Sequence, residues 1–238
     1  PSPNAAQDTL SSGLITMPLA FRHRNDASPY KPPVDGLAVH RETDPAVMAQ
    51  LQSRDVAEIE RRFADGHRAY LATMHGAPAA WGWVATSSAN IGEVKATFSL
   101  PSADRYLWNF VTLAAFRGRG IYPHLLDAIV AAESVDGARF WIAYAPENHA
   151  SGAGIRKAGF TLVADLSFDR VGRPVVRDIR DGGGSEASQL LGLPAISEAV
   201  TQCWKCARGS TPSSASCATG TCSCDYQRAE LACTTESV

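Results

Sequence analysis

The sequence predicts an α/β (α+β) domain, a mixed and largely antiparallel sheet flanked by helices, followed by a small cysteine-rich tail. Three observations lead there. Short runs with apolar residues at period two recur between positions 68 and 113, the texture of paired strands. Helical spacing precedes them and then alternates with strand-like runs from 120 to 180, which favours helices packed on a sheet. All six cysteines, Cys203, Cys206, Cys217, Cys222, Cys224 and Cys233, fall after position 200, so the domain before them folds without one.

Residues 1–34 carry Pro1, Pro3, Pro29, Pro32 and Pro33 with little periodicity and are expected to form an irregular arm. The apolar run 13–21 contains Pro18, and its basic residues Arg22, His23 and Arg24 follow it. A secretory signal has them in front, so the run is read as a tail. The main domain is expected over 35–180. Leu37–Glu42 alternates like a short strand. Asp44-Pro45 supplies an N-cap and a helix-compatible proline, opening a helix through about Gln52. A second helix covers 55–64, with Val56, Ile59 and Phe63 on one face and Gly66 as its stop. His75-Gly76-Ala77-Pro78 turns a hairpin between strands 68–74 and 79–86. The run 91–100, with Val94, Ala96, Phe98 and Leu100 alternating, predicts a third strand, and 106–113 a fourth, rich in aromatic and β-branched residues. A helix (120–133), a strand (139–143), a helix (148–158) and strands 160–168 and 174–179 complete the domain. Residues 181–201 read as a flexible linker, from Asp181-Gly182-Gly183-Gly184-Ser185, and a short amphipathic helix. Residues 202–238 form the cysteine-rich tail.

With 238 residues, 45% hydrophobic and 19% charged, the chain has the balance of a soluble globular protein. A net charge of −2 gives no reason to expect nucleic acid or an anionic membrane as partner. No stretch approaches the roughly 20 apolar residues that span a bilayer. Disulfide-stapled secreted proteins spread their cysteines through the core, so this distribution favours a reducing, cytoplasmic setting.

The most informative segment runs Val111-Thr112-Leu113-Ala114-Ala115-Phe116-Arg117-Gly118-Arg119-Gly120-Ile121-Tyr122. A strand enters a glycine-bearing turn that opens a helix. Glycines let the backbone come close to a ligand, and the free N–H groups of the first helical turn point at it. With the helix dipole and Arg117 and Arg119, the segment suits a phosphorylated ligand.

The run resembles the acetyl-CoA-binding motif Q/R-x-x-G-x-G/A of the GNAT acetyltransferases. Arg117 fills its first position and Gly120 its fourth; Tyr122 stands where that family has Gly or Ala. A second match follows in Glu147-Asn148-His149-Ala150-Ser151 and Ile155-Arg156-Lys157-Ala158-Gly159-Phe160, similar to N-x-x-S/A…Y-x-K-x-G-F. Asn148 also reads as an N-cap and Gly159 as a C-terminal stop on physical grounds alone. The resemblance covers roughly 36–180 and implies an N-acetyltransferase with acetyl-CoA as cosubstrate and a primary amine of a small molecule or protein as acceptor. It implies that Gly118, Arg119, Gly120, Ile121, Tyr122 and Pro123 cradle the pyrophosphate beside Arg117. Phe110, Val111 and Thr112 would pair with the pantetheine arm, and Asn148 would touch the coenzyme.

Acetyl transfer to an amine requires a neutral nucleophile, a polarised thioester carbonyl and a route for the departing thiolate. Relatives place a Tyr acid seven residues beyond the Asn; here that position is Ile155. Tyr122 and Tyr144 are the tyrosines nearest in sequence, and Tyr144 is taken as the candidate acid. Glu93 is the candidate base, read as lying in the third strand on the acceptor side. A backbone N–H near Thr112 or Leu113 is expected to bind the carbonyl oxygen. The alternative is a non-catalytic coenzyme-A-binding module with a docking tail.

Cys203-Trp204-Lys205-Cys206 is a C-x-x-C knuckle, and Cys217, Cys222 and Cys224 continue it with spacing C-x2-C-x10-C-x4-C to Cys222. Such thiolates can wrap a tetrahedral Zn²⁺, with Cys222 or Cys224 as fourth ligand and Cys233 spare. A disordered or redox-active tail and an iron–sulfur site are the other readings of the same residues.

Overall fold

The computed structural model describes residues 16–29, 31–169, 173–179 and 183–197. The cysteine-rich tail, and with it every expected metal ligand, lies outside the described residues. Those described form, in order, β1 (Met17–His23), β2 (Leu37–Glu42), α1 (Pro45–Gln52), α2 (Val56–Ala64), β3 (Arg68–Met74), β4 (Ala77–Ala85), β5 (Ser88–Ile91), β6 (Ala96–Ser99), β7 (Asp104–Thr112), α3 (Ile121–Glu133), β8 (Arg139–Ala143), α4 (His149–Lys157), β9 (Thr161–Phe168), β10 (Pro174–Asp178), α5 (Gly183–Leu191) and β11 (Ala195–Ile196). Nine strands make one sheet in the order β11-β10-β9-β1-β8-β7-β4-β3-β2. Its pairs are antiparallel except β7–β8 and β10–β11. This is the mixed, largely antiparallel sheet flanked by helices that the sequence predicts. No helix among the described residues is long and apolar enough to cross a membrane.

The sheet is covered on both faces. On one, α3 and α4 bury Ile121, Leu125, Ile129 and Ile155 against Leu107, Phe140 and Ile142. On the other, α1 and α2 cover Trp81 and Trp83, while the β5–β6 hairpin and α5 cover Tyr106, Trp141 and Leu166. Trp108 is half-buried at the seam between these two covers. The predicted cap of α1 is present, Ala46 N–H donating to Asp44 Oδ1 at 2.8 Å with Pro45 in the first turn.

Three expectations are corrected by tertiary packing. The arm is not irregular throughout: β1 enters the middle of the sheet, paired with β8 on one side and β9 on the other. Pro18 and three basic residues hide that strand from a local reading, because proline is rare in central strands. Its Arg22 is buried and bonded to Asp127 Oδ1 and to the Ala158 carbonyl, both at 2.7 Å. The chain then crosses the α3–α4 face toward β2, and Ser28 and Lys31 also reach Asp127. Gly183 and Gly184, expected to belong to a flexible linker, instead start α5, whose Ala187, Leu190 and Leu191 enter the core. A Cβ on Gly184 would lie 2.5 Å from Asp178 Cβ, and one on Gly183 2.8 Å from Val163 Cβ, so these glycines allow close approach of helix to sheet. The third strand is broken as well. Gly92–Val94 form a 3₁₀ turn that joins β5 to β6, because Ile91 and Val94, three apart, are both buried.

Buried charge pins the far end of α3. Glu133 accepts from Arg68 at 2.6 Å, Arg105 at 3.0 Å and Tyr70 at 2.6 Å, so a carboxylate in the interior is fully partnered. Nearer the middle of α3, burial works against the charged form of Asp127. The hydrogen bonds from Arg22 and Ser28 and the charge of Lys31 outweigh that and hold its carboxyl below the ordinary range. A folded-state value below the unfolded one, about 3.9, gives stability that is present above that pH and lost as pH falls through the folded value. Asp127→Asn is therefore expected to cost about 2 kcal/mol at neutral pH. In thermal melts the gap from the wild type should close on acidification below about pH 4; a gap that stays constant with pH contradicts it.

Candidate active site

The site begins with a fault in strand pairing. Trp83 pairs with Trp108 and Trp81 with Val111, so β7 holds one residue more than β4 over this stretch. Asn109 absorbs it with φ of 52°, a β-bulge. Gly82 stands opposite, and a Cβ there would come within 2.0 Å of the Phe110 ring, so the ring occupies the place of a side chain. Asn109 Nδ2 donates to Gln52 Oε1 at 3.2 Å, fixing the bulge to α1 on the other face.

Beyond the bulge, β7 parts from β8. Their parallel pairing runs from Asp104–Arg139 to Leu107–Ile142 and ends. Leu113 N–H is spent on the Ala79 carbonyl at 2.9 Å, which removes it as a donor to a thioester. By the alternation of a strand, the peptide groups of Thr112 and Phe110 face the open edge. Arg117 Nε reaches the Thr112 carbonyl across it at 3.0 Å.

A cleft of about 560 Å³ opens between β7, the turn before α3, and α4. Ten of the eleven residues expected at the coenzyme line it: Phe110, Val111, Thr112, Arg117, Gly118, Gly120, Ile121, Tyr122, Pro123 and Asn148. Arg119 does not line it; its guanidinium lies 5.6 Å from the Phe116 ring centre. Gly118 and Gly120 have φ of 75° and 76°, which favours glycine whatever the space, and Gly120 is the N-cap of α3. The first-turn amides of α3 and the side chains of Arg117 and Lys157 make this end of the cleft suited to an anion.

Phe116 escaped the sequence-based site, and Ala150, Ser151, Ala153, Gly154 and Lys157 were expected there only as part of the helix after Asn148, not by name. A signal was available in Ser151 and Gly154, which lie three apart and so stand together on one side of α4. Asn148 caps that helix, Oδ1 accepting from Ser151 N–H at 3.0 Å. Tyr122 leans from α3 toward α4, its hydroxyl 3.3 Å from Ser151 Oγ. Burial pushes its phenol up to about 12, with the Ser151 hydrogen bond opposing.

Neither catalytic candidate lines the cleft. Tyr144 lies against α4, where a Cβ on Gly152 would be 2.7 Å from its ring. Burial raises its phenol while the charge of Arg156 and a hydrogen bond to it work the other way. Glu93 is half-buried in the 3₁₀ turn rather than in a strand. It stands near Tyr106, whose hydroxyl burial first and the Glu93 charge second drive above its ordinary range. Tyr106 is on the sheet face opposite α3 and α4, as is Trp108, against which His67 packs at 5.1 Å between ring centres. Burial holds His67 below its ordinary value, with Asp65 opposing. Among the described residues, no group of three or more His, Cys, Asp or Glu is placed to hold a metal ion.

No protein-family model matches the chain, and no curated protein matches it. Among solved structures it is similar to a GCN5-related N-acetyltransferase from Kribbella flavida, at 16% identity over 54% of this chain and 48% of that one, with a TM-score of 0.39. It is also similar to a putative GNAT-family acetyltransferase from Novosphingobium aromaticivorans, at 17% identity, 62% and 60% coverage and TM-score 0.43. A GNAT-family acetyltransferase from Colwellia psychrerythraea gives 12% identity, 62% and 53% coverage and TM-score 0.44. The chain spans about half to three fifths of the length of these three proteins.

Gly120→Val adds a β-branched side chain at a left-handed position where the ligand backbone contact would form. Its affinity for coenzyme A, measured by calorimetry on folded protein, is expected to fall more than tenfold, about 1.4 kcal/mol. Unchanged affinity removes this turn from the site.

Proposed function

We propose that this protein is an N-acetyltransferase that moves the acetyl group of acetyl-CoA to a primary amine of a small molecule or protein. The observation that carries this reading is the cleft itself. A strand edge that has parted from β8 runs directly into a helix N-terminus suited to an anion, with two cations beside it. A long ligand with a phosphorylated end and an amide-bearing arm fits both halves. The pyrophosphate would lie on the first turn of α3, near Arg117 and Lys157, and the arm would pair with Phe110 and Thr112 in the manner of an added strand. Its thioester would then reach the bulge, where the strands close at Leu107 and Ile142. The peptide N–H groups of Phe110 or Thr112 would bind the carbonyl oxygen as charge develops on it.

The amine would approach through the opening between β7 and β8 from the opposite face, past Trp108. Its nitrogen attacks the thioester carbon, the C–S bond breaks, and the nitrogen loses a proton. Glu93, beside Tyr106 on that face, is the carboxylate we assign to receive it. Glu93→Gln is expected to leave coenzyme affinity intact and lower turnover on the order of 10²-fold. Rates equal to wild type across the pH range assign the proton to another group or to water.

The thiol spacing of Cys203, Cys206, Cys217 and either Cys222 or Cys224 supports a structural zinc site in the tail, as a second element of this proposal. Elemental analysis of protein purified reduced and without chelator is expected to find about one zinc per chain. The metal should be lost in Cys203→Ser/Cys206→Ser while coenzyme binding persists. Metal-free wild-type protein contradicts this.

A further inference from the structure

We propose that Gln52, the last residue of α1 on the acceptor side, is a positioning residue for coenzyme binding along β7. The assignment rests on the acetyltransferase reading above and gives a residue outside the cleft control of its strand edge. Gln52 is half-buried, and its one side-chain oxygen meets donors from three other elements. Arg62 Nη1 of α2 lies at 3.1 Å, Asn109 Nδ2 of β7 at 3.2 Å and Trp83 Nε1 of β4 at 3.3 Å. Its Nε2 donates to the Met48 carbonyl at 3.1 Å, one turn back in α1. These partners fix which way the amide points. Turned over, it would set N–H groups against three donors and an oxygen against a carbonyl. Arg62 is held in turn by Glu58 at 2.7 Å, and it lies over the rings of Trp83 and Trp108, 5.2 and 5.0 Å from their centres.

The bulge is what makes this tether matter to a ligand. In an unbroken strand Trp108 and Phe110, two apart, would share a face. Here Trp108 packs on the acceptor side and Phe110 on the side of α3 and α4, because Asn109 takes up the extra residue. The same residue decides which peptide groups beyond it face the parted edge, since a slip of one residue exchanges the two sides of a strand. Asn109 does this at a φ of 52°, a left-handed conformation that side chains other than glycine adopt at a cost, asparagine among the least.

Its side chain is exposed. Water would satisfy the Asn109 amide equally well and would hold nothing in place. Gln52 differs because α1 carries it and Arg62 and Trp83 lock it, so the bulge is fixed before any ligand arrives. A pantetheine arm pairing with Phe110 and Thr112 then meets an edge already in register, and binding does not have to order it.

Gln52→Met keeps the length of the side chain and removes the oxygen. Its affinity for coenzyme A, measured by calorimetry on folded protein, is expected to fall about tenfold. Asn109→Ala removes the other half of the tether while keeping a Cβ in the left-handed conformation, and the same fall is expected. Because both act through one contact, Gln52→Met/Asn109→Ala should be no weaker than either alone, whereas independent effects would multiply to about a hundredfold. Gln52→Glu still offers an oxygen to all three donors and should recover most of the affinity. Asn109→Gly, free to adopt a positive φ, should lose less than Asn109→Ala. A merely structural role would lower the melting temperature and leave the affinity of the folded protein unmoved. Wild-type affinity in Asn109→Ala, or losses that multiply in the double variant, overturn the proposal and leave the acetyltransferase reading standing. Wild-type protein that binds no coenzyme A overturns both.

Discussion

A single inserted residue in β7 organises the active cleft. A parallel strand pair stays closed only while both partners keep the same rise and twist, and the Asn109 bulge ends that agreement. Past Leu107 and Ile142, β7 follows β4 while β8 turns away, and the peptide groups of Phe110 and Thr112 lose their neighbour. Unpaired backbone groups inside a sheet are costly, and the Thr112 carbonyl is met by Arg117 Nε at 3.0 Å. The bulge is held from both faces. The Phe110 ring rests where Gly82 lacks a side chain, and Gln52 of α1 takes the Asn109 amide.

The crossover from β7 to β8 then brings α3 over the gap. Parallel neighbours need such a connection, so the helix N-terminus arrives where the strand ends part. Its other end is tied down by Glu133 and its middle by Asp127, which also holds β1 and the segment leading to β2. The first-turn amides, two cleft-lining cations and the strand edge meet where these ion pairs hold α3 against the sheet. Tyr122 follows from the same placement: a first-turn side chain that packs between the Phe110 ring of β7 and Gly154 of α4.

Much of this was legible in local pattern. The strand–turn–helix at 111–122 shows its glycines and arginines at fixed offsets, and ten of the eleven residues named from this segment and Asn148 line one cleft. Asp44-Pro45 and Asn148 set helix starts that nearby backbone groups satisfy without distant help. The failures lie where distant residues decide. Pro18 and Arg22 argue against a strand until β8, β9 and Asp127 are brought beside them. Gly183 and Gly184 look flexible until Val163 and Asp178 press against them. Glu93 was sought in a strand and stands in a turn, because burying Ile91 and Val94 together requires a three-residue period.

The sequence by itself determined the order of most elements, the helix caps and the glycine turn before α3, since each depends on residues within about one helical turn of one another. Only the tertiary structure decided that β1 is central, that β7 and β8 separate, and that Tyr144 does not line the cleft. The physical reason is the range of the interactions. Capping and turn chemistry act between neighbours in the chain. Strand partnership, close approach at glycine and buried ion pairs join residues more than a hundred positions apart, as the pairing of Met17 with Leu166 does.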